Sequence, residues 1–241
     1  MKLSIIIPTY NEKENIQLII EKIIENLKNT KIDYSIIVVD DNSPDGTGKM
    51  VDEISKKNKM VFIVHRAKKL GIGGAYTEGF KFSLRKLKPD LLMTMDADLS
   101  HDPKYIPPIV NAIKDYDLVI GSRYVKGGEI VNWGIVRRLI SRGANLLAKY
   151  LLGIKNNDCT SGFKCFKREI IESIDLSKIS SKGYSFILEM LYICKEKKFK
   201  IGEIPIVFVN RSLGESKISK KEMYQTFKLL LKLKFNKNLF L

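Results

Sequence analysis

Three observations predict an α/β fold built on a mostly parallel central sheet flanked by helices. Short runs rich in Ile and Val alternate with helix-period patterns through roughly the first 120 residues. The runs are nearly continuous in apolar character, as strands buried on both faces must be. Several of them end in polar clusters, and in sheets of this class ligands sit beyond the carboxyl ends of the strands.

LSIIIPTY (3–10) is the first strand, and the helix after it, 15–27, repeats apolar residues at 16, 19, 20, 23, 24 and 27. YSIIVVDDNS (34–43) is the second strand. A helix over 48–57, the strand MVFIVH (60–65), a helix over 73–87 and the strand DLLMTMDAD (90–98) continue the alternation, and DLVIGSRY (117–124) adds another strand. Gly71-Ile72-Gly73-Gly74-Ala75 matches neither GxGxxG nor GxxxxGK[ST]. It reads as a tight loop and a closely packed helix start, which demotes a Walker-type NTPase and a dinucleotide dehydrogenase. The stretch 217–241 interleaves Lys with Leu and Phe and reads as an amphipathic helical tail, too charged to span a bilayer and suited to its interface.

The 241 residues are 44% hydrophobic, enough for a full core and incompatible with disorder. Cys159, Cys165 and Cys194 form neither an even disulfide framework nor a CxxC ligand pair, so a reducing, cytoplasmic setting is expected. No signal-peptide layout and no run of about 18 apolar residues occurs, and a soluble or peripheral protein is expected. Of the net charge of +15, residues 1–121 carry +1 and residues 122–241 carry +14. That asymmetry calls for an anionic partner of the second half: an acidic membrane surface, a phosphorylated substrate or nucleic acid. No linker divides the chain, so 1–241 is read as one domain with lobes at 1–121 and 122–216 and the tail at 217–241.

Chemistry is expected at the strand ends. In the fourth strand, Asp96 and Asp98 stand two residues apart, and on an extended strand both carboxylates point to one side, an arrangement suited to Mg²⁺ or Mn²⁺ shared with phosphate oxygens. Asp40 and Asp41 end the second strand. Asp41 is placed to accept from a ribose or base edge, while Ser43 and Asp45 equally suit a turn or helix cap. His101 follows the DAD turn within reach of the site, His65 is ordinary, and Trp133 buries a loop or touches a lipid interface. Carboxylates gathered at three strand ends would repel a polyanion, which counts against the basic nucleic-acid-binding alternative.

The segments IIIPTYNEKENI, VVDDNSPDGT, MDADLSH, GSRYVKGG, NWGIVRRLISRGAN, SGFK and RSLGESK together resemble the polyprenol-phosphate mannosyltransferases of glycosyltransferase family 2, and more narrowly the dolichol-phosphate mannose synthases. The resemblance runs from about residue 3 to residue 220. It implies a GT-A type nucleotide-sugar fold and a single catalytic domain moving mannose from GDP-mannose to dolichyl phosphate with inversion. A related transferase using UDP-glucose is the alternative. By motif, Pro8, Tyr10, Glu12, Val39 and Asp41 would hold the nucleotide, and Asp96, Ala97 and Asp98 the ribose-diphosphate and the cation. Ser100 stands where the family often has Gln and would assist Asp98 at the metal, directly or through water. Arg123, Arg137 and Ser141 would receive the lipid phosphate, and Arg211 and Lys217 would close over the donor diphosphate. The resemblance also implies a divalent cofactor, peripheral attachment to the cytoplasmic face of an anionic membrane and room for a small membrane-anchoring subunit, with no nucleic-acid partner.

Overall fold

The computed structural model describes residues 1–179, 181, 183, 185–210 and 220–235, with side chains of the last segment given from residue 224. Four strands, β1 (Lys2–Thr9), β2 (Asp33–Asp40), β3 (Val61–His65) and β4 (Leu91–Thr94), alternate with α1 (Lys13–Leu27), α2 (Thr47–Lys57) and α3 (Ile72–Lys86). A 3-10 turn at Pro103–Tyr105 leads into α4 (Ile106–Ala112) and β5 (Leu118–Ser122). The second half contributes β6 (Glu129–Val131), α5 (Ile135–Leu152), β7 (Lys164–Lys167), α6 (Arg168–Glu172), α7 (Ser185–Glu196), β8 (Ile201–Pro205), β9 (Val207–Val209) and α8 (Lys220–Phe235).

Seven strands form one sheet in the order β3-β2-β1-β4-β7-β5-β8. All neighbours are parallel except β7, which runs antiparallel between β4 and β5. Strands from both halves of the chain therefore share one sheet. The pairings Thr9 with Asp40, Asp40 with His65 and Ile6 with Thr94 align the carboxyl ends of β1 to β4 on one edge. Strand β6 pairs with β9 in a separate two-stranded ribbon.

The Ile and Val strands are buried on both faces because each face carries its own helix layer. Ile5, Ile7, Ile36 and Val38 pack with Ile16, Ile19, Ile20 and Ile23 of α1 on one side. Ile6, Ile37 and Val39 pack toward Tyr76 and Phe80 of α3 and the residues of α7 and α8 on the other. Helix α7 is buried along ten of its twelve residues, Ser185 to Cys194, as an apolar run without a polar face must be. In α8, Leu229, Leu230 and Leu233 join the core and the Tyr192 hydroxyl donates to the Leu233 carbonyl at 3.3 Å. That part of the tail packs on the protein itself, while Tyr224, Phe227 and Phe235 stay exposed.

Candidate active site

The loops after β1 and β2 are stitched together where the donor residues were expected. Asn11 N–H donates to Ser43 Oγ at 3.0 Å, Glu12 N–H to Thr47 Oγ1 at 3.0 Å and Lys13 N–H to Asp45 Oδ2 at 3.1 Å. Asp45 also accepts from Thr47; burial opposes its charge, but these hydrogen bonds prevail and hold its carboxyl below the usual range. The stitching fixes Glu12 ahead of α1, where its carbonyl accepts from Asn15 and Ile16 and its carboxylate from the Asn15 amide at 2.9 Å. Pro8 and Val39 lie opposite one another in the β1–β2 register, Val39 fully buried and Tyr10 half-buried at the rim.

Asp41 is an ion pair rather than a lone carboxylate. Arg66 holds Oδ1, and Leu70 N–H donates to Oδ2 at 3.2 Å. Lys69, in the same loop, lies 3.7 Å from the centroid of the Tyr10 ring. Both cations went unseen in the sequence, although RAKKL directly follows the third strand and so falls on the same sheet edge. The glycines after it make room. A Cβ on Gly74 would stand 2.5 Å from Arg66 Nη2, and one on Gly73 would stand 2.8 Å from Phe186 Cβ.

The expectation that Asp96 and Asp98 extend a strand is corrected by the structure. Strand β4 stops at Thr94, and the DAD segment continues through bends to Leu99, whose φ is +63°. The two carboxylates are therefore set by the turn and not by strand alternation. Asp98 is buried, and its Oδ1 accepts from both the backbone N–H of Ser100, at 3.1 Å, and the Ser100 hydroxyl. Asp96 is more open, and the Tyr76 hydroxyl donates to its Oδ1 at 3.4 Å. Ala97 is buried between them.

His101 is a structural member of this turn. Its Nδ1 accepts the Asp96 backbone N–H at 3.1 Å, and its ring stacks on Phe163 at 5.0 Å between centroids. Burial lowers its pKa and outweighs the nearby Asp96 and Asp98, so the ring is held neutral.

Beyond β5 the predicted phosphate residues converge. Arg123 is buried; its Nε and Nη2 donate to Asp158 at 2.7 Å each, and Nη2 donates to Thr160 Oγ1 at 2.8 Å. Its guanidinium lies 5.3–5.6 Å from the ring centroids of Tyr124, Trp133 and Phe208. Arg137 lies 4.0 Å over the Trp133 ring and donates to Asn210 Oδ1 at 2.9 Å, and the Tyr124 hydroxyl donates to Ser141 Oγ at 2.7 Å. Asn145 completes the wall: its amide donates to Thr160 Oγ1 at 3.2 Å and accepts from the Cys159 backbone N–H at 2.7 Å. Arg137, Ser141 and Asn145 are spaced by four, so they lie on one stripe of α5.

Comparison with known proteins decides the family, since the description of Glycosyl transferase family 2 matches residues 4–175. The chain belongs to glycosyltransferase family 2. Within it, the chain is 41% identical over 219 residues to the undecaprenyl-phosphate mannosyltransferase of Micrococcus luteus, covering 91% of this chain and 88% of that one. It is 42% identical over 217 residues to the polyprenol monophosphomannose synthase of Mycolicibacterium smegmatis, covering 89% and 80%. In fold it is similar to the glucosyl-3-phosphoglycerate synthase of Mycobacterium tuberculosis in complex with Mn²⁺, UDP-glucose and phosphoglyceric acid. That likeness has a TM-score of 0.68 at 21% identity and covers 97% of this chain and 80% of that one. The fold is GT-A type, as the motifs implied.

The two residues expected to close over the donor of this family 2 site, Arg211 and Lys217, lie outside the described residues. The other predicted residues form two groups, one on the β1–β4 edge and one at α5. Sequence reasoning missed Asp158, Thr160 and Asn145, which organise Arg123; a lone Asp in NNDCTSG reads as a loop residue, and only its burial marks it. Trp133 carries Arg137 over its face, 4.0 Å from the ring centroid.

The carboxylate turn fits a hard divalent cation. Its donors are oxygens, and Asp98 is oriented by Ser100. Among the described residues, no group of three or more His, Cys, Asp and Glu forms a closed cage. An ion there would complete its shell from donor phosphates and water, the habit of Mg²⁺ and Mn²⁺.

Proposed function

We propose that this chain is an inverting mannosyltransferase that moves mannose from GDP-mannose to a polyprenyl phosphate such as dolichyl phosphate, giving the β-linked mannosyl phospholipid at a membrane surface. The observation that carries the reading is helix α5. One stripe of it, Arg137, Ser141 and Asn145, turns toward the residues around Arg123, while Ile135 and Val136, 78% and 71% exposed, and Leu139, Ile140, Leu146 and Tyr150 remain outside. A helix with phosphate-binding groups inward and an apolar face outward suits an acceptor whose head must be gripped while its hydrocarbon stays in the bilayer. No helix among the described residues is long and apolar enough to cross a membrane, and the Arg and Lys of α5 and α8 suit attachment to an anionic surface.

The chemistry asks little proton transfer of the protein. A phosphate monoester is largely dianionic at pH 7, its second pKa being about 6. One of its oxygens attacks the anomeric carbon of mannose from the face opposite the diphosphate, the glycosidic C–O bond breaks, and GDP leaves with the electron pair. No general base is needed, and neutral His101, with Nδ1 already accepting from Asp96 N–H, is not placed as one. Pro8, Tyr10, Glu12, Val39, Asp41 and Ala97 position the nucleoside, and Arg211 and Lys217 screen the diphosphate. Arg123, Arg137 and Ser141 orient the attacking phosphate; guanidinium suits it because its fork matches two phosphate oxygens. Asp98, with Asp96 and Ser100, would hold the divalent cation, which when bound neutralises charge on the departing diphosphate. What the protein supplies is alignment and charge management.

The test is transfer from GDP-mannose, UDP-glucose and other nucleotide sugars to polyprenyl phosphates of different length and saturation, with the anomeric configuration of the product read by NMR. Mannose transfer from GDP-mannose with a β-linked product is expected. Transfer from UDP-glucose with none from GDP-mannose would replace the donor assignment by the alternative.

A further inference from the structure

Trp133, the protein's one tryptophan, has no part in the proposed chemistry, yet both arginines of the acceptor site lie on its ring. The guanidinium of Arg137 is 4.0 Å from the ring centroid and that of Arg123 is 5.6 Å away. Phe208 packs against the same ring, edge to face, at 5.5 Å between centroids. The frame for this arrangement is the β6–β9 ribbon. Val131 pairs with Val209 in a parallel register, so the two strands leave the ribbon at one end, Trp133 following the first and Asn210 the second. Asn210 N–H donates to the Val131 carbonyl at 3.1 Å, and its Oδ1 accepts from Arg137 at 2.9 Å. Trp133 and Asn210 thus both hold the Arg137 guanidinium, while Asp158 and Thr160 hold that of Arg123.

Packing alone does not call for an indole here. Its Nε1 is buried and finds no acceptor among the described residues, and a buried donor left unpaired is unfavourable. A phenyl ring could pack on Phe208 with no donor to strand. What indole offers beyond phenyl is its face, the strongest among side-chain rings for a cation. Two guanidiniums repel one another, and the attraction of both to one ring offsets part of that repulsion. We propose that Trp133 is a positioning residue of the acceptor site: its face keeps Arg123 and Arg137 at a spacing from which both reach one phosphate. The proposal rests on the reading of these two arginines as phosphate-binding residues. It departs from the expectation that this ring buries a loop or touches lipid, since the groups over it are cations.

The first measurement is tryptophan emission, which reads this residue alone. A short-chain isoprenyl phosphate and the corresponding alcohol are titrated into the wild type. The phosphate should shift the emission saturably over the concentrations that saturate transfer, because its charge draws on the guanidiniums that lie over the ring, and the alcohol should leave it unchanged. An equal response to the alcohol, or none to the phosphate where transfer is saturated, overturns the proposal. The second measurement is steady-state kinetics of both substrates for W133F, W133L and R137A, with circular-dichroism melts confirming the fold. W133L should raise the acceptor KM about fivefold, the effect of losing a cation–π contact, and W133F about twofold, with the KM for the sugar nucleotide unchanged. A rise of both KM values alike marks a structural role and overturns the proposal. A wild-type acceptor KM in W133L overturns the proposal alone, provided R137A is impaired toward the acceptor. An unimpaired R137A overturns the site reading and the proposal with it. Should W133L fail to fold, a wild-type acceptor KM in W133F is the overturning result.

Discussion

Asp158 receives three hydrogen bonds from Arg123: Nε and Nη2 of the side chain at 2.7 Å each and the backbone N–H at 3.0 Å. Burial opposes both charges and the pairing prevails, lowering the Asp158 pKa and raising that of Arg123. Replacing Asp158 with Asn keeps the shape and removes the counter-charge from a guanidinium that is largely buried. Loss of one partner of a buried pair costs on the order of 3–5 kcal/mol, and denaturant unfolding of Asp158→Asn should show a loss of that size. A loss under about 1 kcal/mol would mean that the pair behaves as a solvated surface bridge.

Asp98 gives a cleaner test as Asn than as Ala. Its Oδ1 caps the turn through Ser100, and Asn can still accept that bond while lacking the charge a divalent cation needs. Asp98→Asn should keep the wild-type melting temperature, abolish transfer and lose the Mn²⁺-dependent part of GDP binding measured by calorimetry. Full activity of the wild type in excess chelator would remove the cation from this turn.

His101 sets an acid limit on stability. Its pKa in the fold lies below the ordinary value of 6.5, because burial disfavours the imidazolium more than Asp96 and Asp98 favour it. Below pH about 6.5 the unfolded chain therefore binds more protons at this residue than the folded chain does, so its contribution is complete above that pH and is lost as pH falls. Melting temperatures taken from pH about 7.5 down to about 5 should drop for the wild type and drop less for His101→Gln, which cannot charge. Equal slopes for the two would place the acid sensitivity elsewhere.

Much of this was legible in the chain because local pattern and burial agreed. Strands β1, β3 and β5 and helices α1 to α3 fall within one or two residues of their expected bounds, since continuous Ile/Val runs and i, i+3, i+4 spacing each admit one interpretation. Strand β2 and, more markedly, β4 end early. Asp40 turns back to accept from Ser43, and Met95 and Ala97 prolong the apolar alternation of β4 while Leu99 turns the backbone away. Strand β7 was invisible: four residues, KCFK, owe their extended state to the two strands that flank them, and a lysine in the middle of a sheet looks like a loop residue until the fold buries it. The site followed the same division. Motif residues on strand ends could be named from the sequence, whereas Asp158 and Arg66 are defined by partners far away in the chain.

The proposed membrane contact is better tested on α5 than by truncation. Removing residues beyond Leu231 would delete Leu233, which is buried against Tyr192, and would confuse loss of binding with loss of core. The apolar residues of α5 are exposed, so Ile135→Glu with Leu139→Glu removes no core contact and should leave the melting temperature within about 1 °C of wild type. Two attractions should hold the helix to a vesicle. Burying an exposed Ile or Leu contributes about 1.5–3 kcal/mol, and each nearby Arg or Lys about 1 kcal/mol at an anionic surface, the latter screened by salt. Wild type should therefore bind anionic vesicles tightly at low salt and more weakly at high salt. The double Glu variant should lose most binding at both, because it removes the apolar term and adds repulsion. Co-sedimentation at the two ionic strengths decides it, and undiminished binding by the variant would take α5 out of the membrane contact and leave α8 as the attachment.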